Sequence, residues 1–552
     1  LGLMKEAADT SSEFSKYEIS KPLHNLNKSV GSGFLSVLQR SGLFRPFAQA
    51  VNQGLEDGSI DRSLIEEVAM TVWQDTVKAA DEAYKPGTFT TFAGYEYTSS
   101  VDLYDKYLHR NVIFRDTENL PNKVFSRIDS RDPEKLWDWM NELRSRGVES
   151  LAIPHNSNIS GGAAFSLNDY NGGPIDEIYA KKRALNEPLV EVTQAKGTSE
   201  THPLLSMNDE WADFETRTGV TVTHSGINIE AEKDINNLKG GFVRNAYLRG
   251  LSFSDSGLTN PYKFGLIGSS DTHVAGGSYD EDTFFSKIGV LDGTPELRGS
   301  VPFNRFYGTI MRFYSPEGLQ KIDGKNYLAV SNRLIHFSAS GLAGVWAEEN
   351  TRESIYDAFR RKETFATSGP RIKVRFFASQ ELQDSGLDDP NLIRNAYAKG
   401  IPMGGTLLIK DNNPSFLVWA ISDPLGAPLQ RIQIVKGWIE EGEHREKVYD
   451  VACSNGLSVD PITNRCPDNG ARVDLKNCST TGPGDKEMKV IWQDPDFLEN
   501  QEAFYYSRVL ENPVCRWSTW DSVREGVEPR SDIPATIQER AWSSPIWFKP
   551  TL

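Results

Sequence analysis

The sequence predicts an α/β protein with a β-rich, sandwich-like C-terminal region. Three observations carry this reading. Between residues 88 and 273, short apolar or β-branched runs alternate with helical stretches and short connections, the pattern of a parallel α/β layer or barrel. The residues best suited to chemistry fall at or just past the C-terminal ends of those runs, where α/β enzymes place their sites. From about residue 371, alternating segments separated by Pro, Gly and Asn turns take over. The expected division is residues 1–370 and 371–552.

Residues 1 to about 85 read as helical, with Leu64, Val68, Val72 and Val77 near helical spacing and Pro86-Gly87 as the stop. Thr88 to Thr98 is aromatic and β-branched and reads as a buried strand ending in Glu96. After a polar loop, His109 to Arg115 reads as the next strand. Residues 132–146 form a helix: Asp132-Pro133-Glu134 starts it, and Leu136, Trp137, Met140 and Leu143 share one face. Glu149 to Asn156 and Leu189 to Val192 are further strands. Tyr262 to Ile267 feeds the turn Gly268-Ser269-Ser270-Asp271-Thr272-His273. A long polar loop is expected over 274–335 and a helix over 351–362. Arg371 to Phe376, Ser415 to Ala420 and Arg431 to Lys436 are C-terminal strands.

At 552 residues the chain exceeds one ordinary core. Its formal charge of −16 argues against a nucleic-acid surface, which needs clustered Lys and Arg. No apolar run is long enough to cross a bilayer. Cys453, Cys466, Cys478 and Cys515 all lie in the last fifth and lack C-x-x-C spacing, so two disulfides are expected rather than a zinc ribbon. Four cysteines allow three pairings, and sequence order favours neighbours. Clustered cysteines place the protein in the periplasm or outside the cell. The chain opens on Leu1-Gly2-Leu3-Met4, which reads as mid-helix text, so any targeting segment is expected upstream.

Asp271 and His273 stand two residues apart at a strand end, where side chains of equal parity point the same way. Of eight histidines, His109, His155 and His273 sit beside strand ends, as do Glu96 and Asp271. Neutral imidazoles with carboxylates suit Zn, Mn or Fe, and a carboxylate can bridge two ions. Arg110 and Lys196 are expected to steady developing anionic charge, with His202 as a general acid or further ligand. Asn111, Asn156, Asn158 and Glu200 are expected to contact substrate. His24, His224, His336 and His444 lack such company and read as structural or exposed.

These blocks, from Phe89 to Glu96, Leu108 to Asp116, Ile153 to Asn158, Lys196 to Glu200, Gly268 to His273 and Thr367 to Arg371, together resemble a bacterial domain-of-unknown-function family. That family looks related to the PHP (polymerase and histidinol phosphatase) superfamily of metal-dependent phosphoesterases. The resemblance implies a distorted (β/α)7 barrel with two or three divalent ions. It maps Glu96 to a bridging ligand, and His109, His155, Asp271 and His273 to further ligands. The superfamily's opening His-x-His strand and later Asp-His pair are absent, and Leu1 to Met4 looks like text just after the Asp-His. The barrel is therefore expected to be N-terminally incomplete.

The expected function is a metal-dependent phosphoesterase, in which a metal-activated hydroxide attacks phosphorus in a small phosphate ester or similar anion. Two alternatives stand beside it. One is hydrolysis of an amide, lactone or sulfate ester on the same cage. The other is a non-catalytic binding module whose β-rich region holds a partner or glycan.

Overall fold

The computed structural model describes residues 2–24, 46–47, 49–55, 57–100, 107–216, 221–223, 226–228, 235–274, 276–289, 291–303, 318–329, 334–382, 386–409 and 413–550. His224 and the polar loop expected after residue 100 lie outside them.

Helix α1 (Arg62–Ala83) starts where the Asp61 carboxylate accepts from the Ser63 N–H at 2.9 Å. It buries Ile65, Trp73 and Ala80. The expected stripe through Leu64, Val68 and Val72 is not the buried one, and Val72 is 48 % exposed. Trp73 decides the orientation: its ring packs on Phe114 at 5.6 Å, and its indole N–H donates to the Pro121 carbonyl at 2.8 Å.

Strands β1 (Gly94–Ser100), β2 (Tyr107–Phe114) and β3 (Ser150–His155) form an antiparallel sheet, not the parallel layer expected. One face carries Tyr97, Val112, Phe114 and Ala152. It is covered by α2 (Pro133–Ser145) and α3 (Glu177–Asn186), through Leu136, Trp137, Met140, Tyr179 and Ala180. Asp132 caps α2, accepting from the Glu134 N–H at 2.8 Å, and the buried face is the one its 3–4 spacing predicts.

Strand β4 (Leu189–Gln194) runs parallel to β5 (Gly265–Gly268), joined through α4 (Val243–Asp255). β3 lies beside β4, so the two small sheets are neighbours. Among the described residues these ladders do not close into a barrel. The far side of β5 abuts β6 (Leu342–Val345) and β7 (Thr364–Thr367). Gly268 is required there, because a Cβ would stand 2.7 Å from the Leu342 carbonyl oxygen and 2.8 Å from that of Thr367.

The C-terminal region is β-rich, as expected. β6 and β7 open an eight-stranded sheet that continues through Arg540–Ser543, Ala503–Glu511, Leu429–Glu440 and Glu443–Cys453. A four-stranded sheet contains Lys373–Ser379, Ser415–Ile421 and Glu487–Gln493. Phe376, Phe416 and Val418 of the second pack against Ile432, Ile434, Tyr505 and Val509 of the first in one core. Residue 370 is not a break in packing: β7 pairs with Arg540–Ser543 across it. Val190, Val192, Tyr247 and Leu266 share a core with Val435, Phe504, Trp542 and Trp547.

The stretch after His273 is not the bare loop expected. It carries a two-stranded ladder, Leu319–Ile322 with Lys325–Leu328, and Phe284 stacks on Trp517 at 4.5 Å. Cysteines pair as neighbours, Cys453–Cys466 and Cys478–Cys515. No helix of the described residues is long and apolar enough to cross a membrane.

Candidate metal centre

Register builds the centre. His109 on β2 stands directly opposite His155 on β3, and Glu96 on β1 stands opposite Asn111. Residues 109 and 111 share a strand face, so Glu96, His109, Asn111 and His155 all project from the side opposite α2 and α3. Glu96 is mid-strand rather than at its end, and His109 comes from the first half of β2. The antiparallel pairing brings them together.

Glu96 Oε1 accepts from His109 Nδ1 at 2.7 Å and from His155 Nε2 at 2.9 Å. The three ligand atoms lie within 4.8 Å of one another. Bonds of about 2.0–2.2 Å from Zn to imidazole nitrogen and carboxylate oxygen need no wider spacing. The donor set therefore fits a borderline divalent ion. Side-chain exposure falls from 47 % at Glu96 to 20 % at His109 and 3 % at His155, so the cluster opens to solvent on the Glu96 side.

Burial opposes ionisation of Glu96, but the hydrogen bonds from His109 and His155 outweigh it and hold the carboxyl well below its usual range. The two imidazoles diverge. Burial pushes His109 down, with Glu96 opposing. For His155 burial is outweighed by the bond to Glu96 and the charges of Glu191 and Asp271, and its affinity for a proton rises.

A second group of side chains meets at the Asp271 carboxylate. Asp271 has a left-handed backbone (φ 48°). Its Oδ2 accepts from Gln194 Nε2 at 2.9 Å and pairs with Lys196 Nζ. Lys287 Nζ lies 3.5 Å from the same oxygen and donates to the Asp271 carbonyl at 2.7 Å. Burial opposes ionisation of Asp271, yet the two ammonium groups bring it to about 2. His273 is exposed, and its Nδ1 lies 3.3 Å from Lys287 Nζ. Asn156, also left-handed, accepts from Gln194. The Asn158 amide donates to the Lys196 carbonyl at 3.1 Å and ties the two loops.

Three expected site residues stand elsewhere. Arg110 follows His109 in a strand and so faces the other side, where it is buried against Glu187 with its guanidinium 5.9 Å from the Trp137 ring. Glu200 is buried in an ionic network between the two halves: it accepts from Arg244 and Tyr506 at 2.7 Å each, from Arg508 at 3.1 Å and from the Trp542 indole at 2.7 Å. Asp209 completes that network, 2.8 Å from Arg244 and 2.7 Å from Arg508. His202 is buried beside Phe242, and its Nδ1 accepts from the Leu204 N–H at 3.2 Å.

Sequence reasoning missed Gln194, Glu191 and Lys287. Gln194 ends β4 just past a register shift between Glu191 and Thr193, and its signal was only its place two residues before Lys196. Glu191 is buried near His155, accepts from the Ser269 hydroxyl, and is raised by that burial. Lys287 had no sequence signal, being one lysine in a polar stretch.

A family model described as "Protein of unknown function (DUF3604)" matches residues 1–550. No curated protein and no solved structure matches the chain.

Proposed function

The chain belongs to the DUF3604 family, and from the geometry of its centre we propose that it is a metal-dependent hydrolase of PHP type, acting on a phosphate ester. The single observation behind this reading is the convergence of Glu96, His109 and His155 within 4.8 Å from three adjacent strands. A divalent ion (Zn, Mn or Fe) held by these three would act as a Lewis acid toward phosphoryl oxygen and lower the pKa of water.

The chain's own groups then have separable roles. Glu96, ionised throughout the neutral range, supplies the negative charge, and its exposed side faces the entry. Lys196, 21 % exposed, paired with Asp271 and electrostatically felt by His109, would steady a substrate anion. Asn111 stands opposite Glu96 in the ladder, which supports a role for it in contacting the same ligand. The neighbouring sheets β1-β2-β3 and β4-β5 are, in this reading, the PHP-like part of the fold. The two disulfides favour a periplasmic or secreted protein.

Hydrolysis of bis(p-nitrophenyl) phosphate, measured with Zn²⁺ or Mn²⁺ titrated in, tests the proposal. Glu96→Ala and His155→Ala should each abolish both ion binding and the metal-dependent rate. Undiminished hydrolysis in either variant would refute the assignment.

A further inference from the structure

Lys287 occupies surroundings normally built for an ion. Its side chain is 1 % exposed. Its Nζ stands 2.7 Å from the Asp271 carbonyl oxygen, 3.3 Å from His273 Nδ1 and 3.5 Å from Asp271 Oδ2, with the Phe337 ring 5.6 Å away. A buried ammonium is costly unless acceptors surround it, and here the Asp-x-His pair supplies them. Lys196 and Gln194 converge on the same Oδ2.

We infer that Lys287 is a tethered cation standing where a second metal ion would sit, so that this chain's centre holds one divalent ion, on Glu96, His109 and His155 alone. The inference rests on the metal reading proposed above and changes its count.

Two features make Asp271 and His273 a poor fit to a further ion. An incoming dication at Oδ2 would meet two ammonium groups already there, Lys196 and Lys287, and their charge would repel it. His273 Nδ1 is itself already engaged, 3.1 Å from the Asp271 carbonyl oxygen and 3.3 Å from Lys287 Nζ. The left-handed backbone of Asp271 completes the arrangement, since the carbonyl and the carboxylate of one residue meet one ammonium. Glu96 Oε1, by contrast, has two imidazoles as its hydrogen-bond partners, His109 and His155, and these can turn lone pairs toward a metal.

The test is ion stoichiometry and affinity, by native mass spectrometry and isothermal titration with Zn²⁺ and Mn²⁺ on the 552-residue chain. The parent chain should take up one ion. Asp271→Asn should keep that ion at unchanged affinity, whereas Glu96→Gln should weaken it by about tenfold to a hundredfold or more. Two or more ions on the parent chain overturn the inference. So does a tenfold or greater loss of affinity in Asp271→Asn when its circular dichroism matches the parent. The parent count alone decides the matter should Asp271→Asn not fold. No ion at all on the parent chain would instead remove the metal reading beneath it.

Discussion

Arg110 is buried between Glu187 and Trp137, while its neighbour His109 reaches Glu96 on the opposite face of the sheet. Glu187 also pairs with Arg183 at 3.0 Å, so this is a buried triad that removal of one cation would unbalance. Arg110→Met should therefore lower stability by roughly 3 kcal/mol while leaving divalent-ion affinity unchanged. Denaturant unfolding and ion titration on the same variant check both halves, and loss of ion binding in a stable variant would return Arg110 to the site. Residue types pointed to Glu96, His109 and His155, because imidazole and carboxylate at strand positions carry a chemical signature of their own. Arg110 and Glu200 were misplaced because their charge alone does not tell a substrate contact from a buried ion pair. Alternation along the expected strand from His109 to Arg115 already set Arg110 on the face opposite His109, but its charge was given the greater weight.

At the scale of elements, two devices hold the outer β-region. Cys453 ends the strand Glu443–Cys453 and is tied to Cys466, 13 residues on, while Cys478 is tied to Cys515. Cross-links of this kind restrict the unfolded chain. Replacing both Cys453 and Cys466 with serine should cost about 3 kcal/mol, the value expected for a loop of roughly 15 residues. Chemical denaturation of the variant against the oxidised parent measures it, and an unchanged midpoint would show that the bridge adds nothing. The helices were legible where capping and periodicity agreed, as at Asp132 and α2. Strand direction was not: β1, β2 and β3 read as members of a parallel layer, yet their ladder is antiparallel. A strand's own sequence reports its burial and alternation, whereas its direction is fixed by the partner across the ladder.

Across the whole molecule, charge is buried where distant segments meet. Glu200 and Asp209 bind Arg508, and Glu281 accepts from the Trp517 N–H while Arg298 pairs with Asp521 at 2.6 Å. Burial raises Glu281 to about 7 from an ordinary 4.5, with the Glu215 charge adding to it and the Arg516 charge and the hydrogen bonds with Trp517 and Glu539 opposing it. A carboxyl raised on folding binds its proton more tightly in the native state, so its contribution to stability is lost as pH rises from about 4.5 through about 7. Glu281→Gln, which keeps an acceptor for Trp517, should gain stability relative to the parent at pH 8 and little at pH 5. Melting temperatures at the two values decide it, and an equal difference at both would contradict the titration. By itself the sequence determined the α/β character, the β-rich C-terminal region, the disulfide-bonded cysteines and the residue types able to grip a metal, because each is written in local composition and spacing. Only tertiary structure decided which of those residues meet, that Asp271 and His273 face Lys287, and that one core runs through residue 370. Such outcomes depend on which strands pair and which charges are buried together, and both are settled between separate segments, from 13 residues apart at Glu96 and His109 to 308 at Glu200 and Arg508.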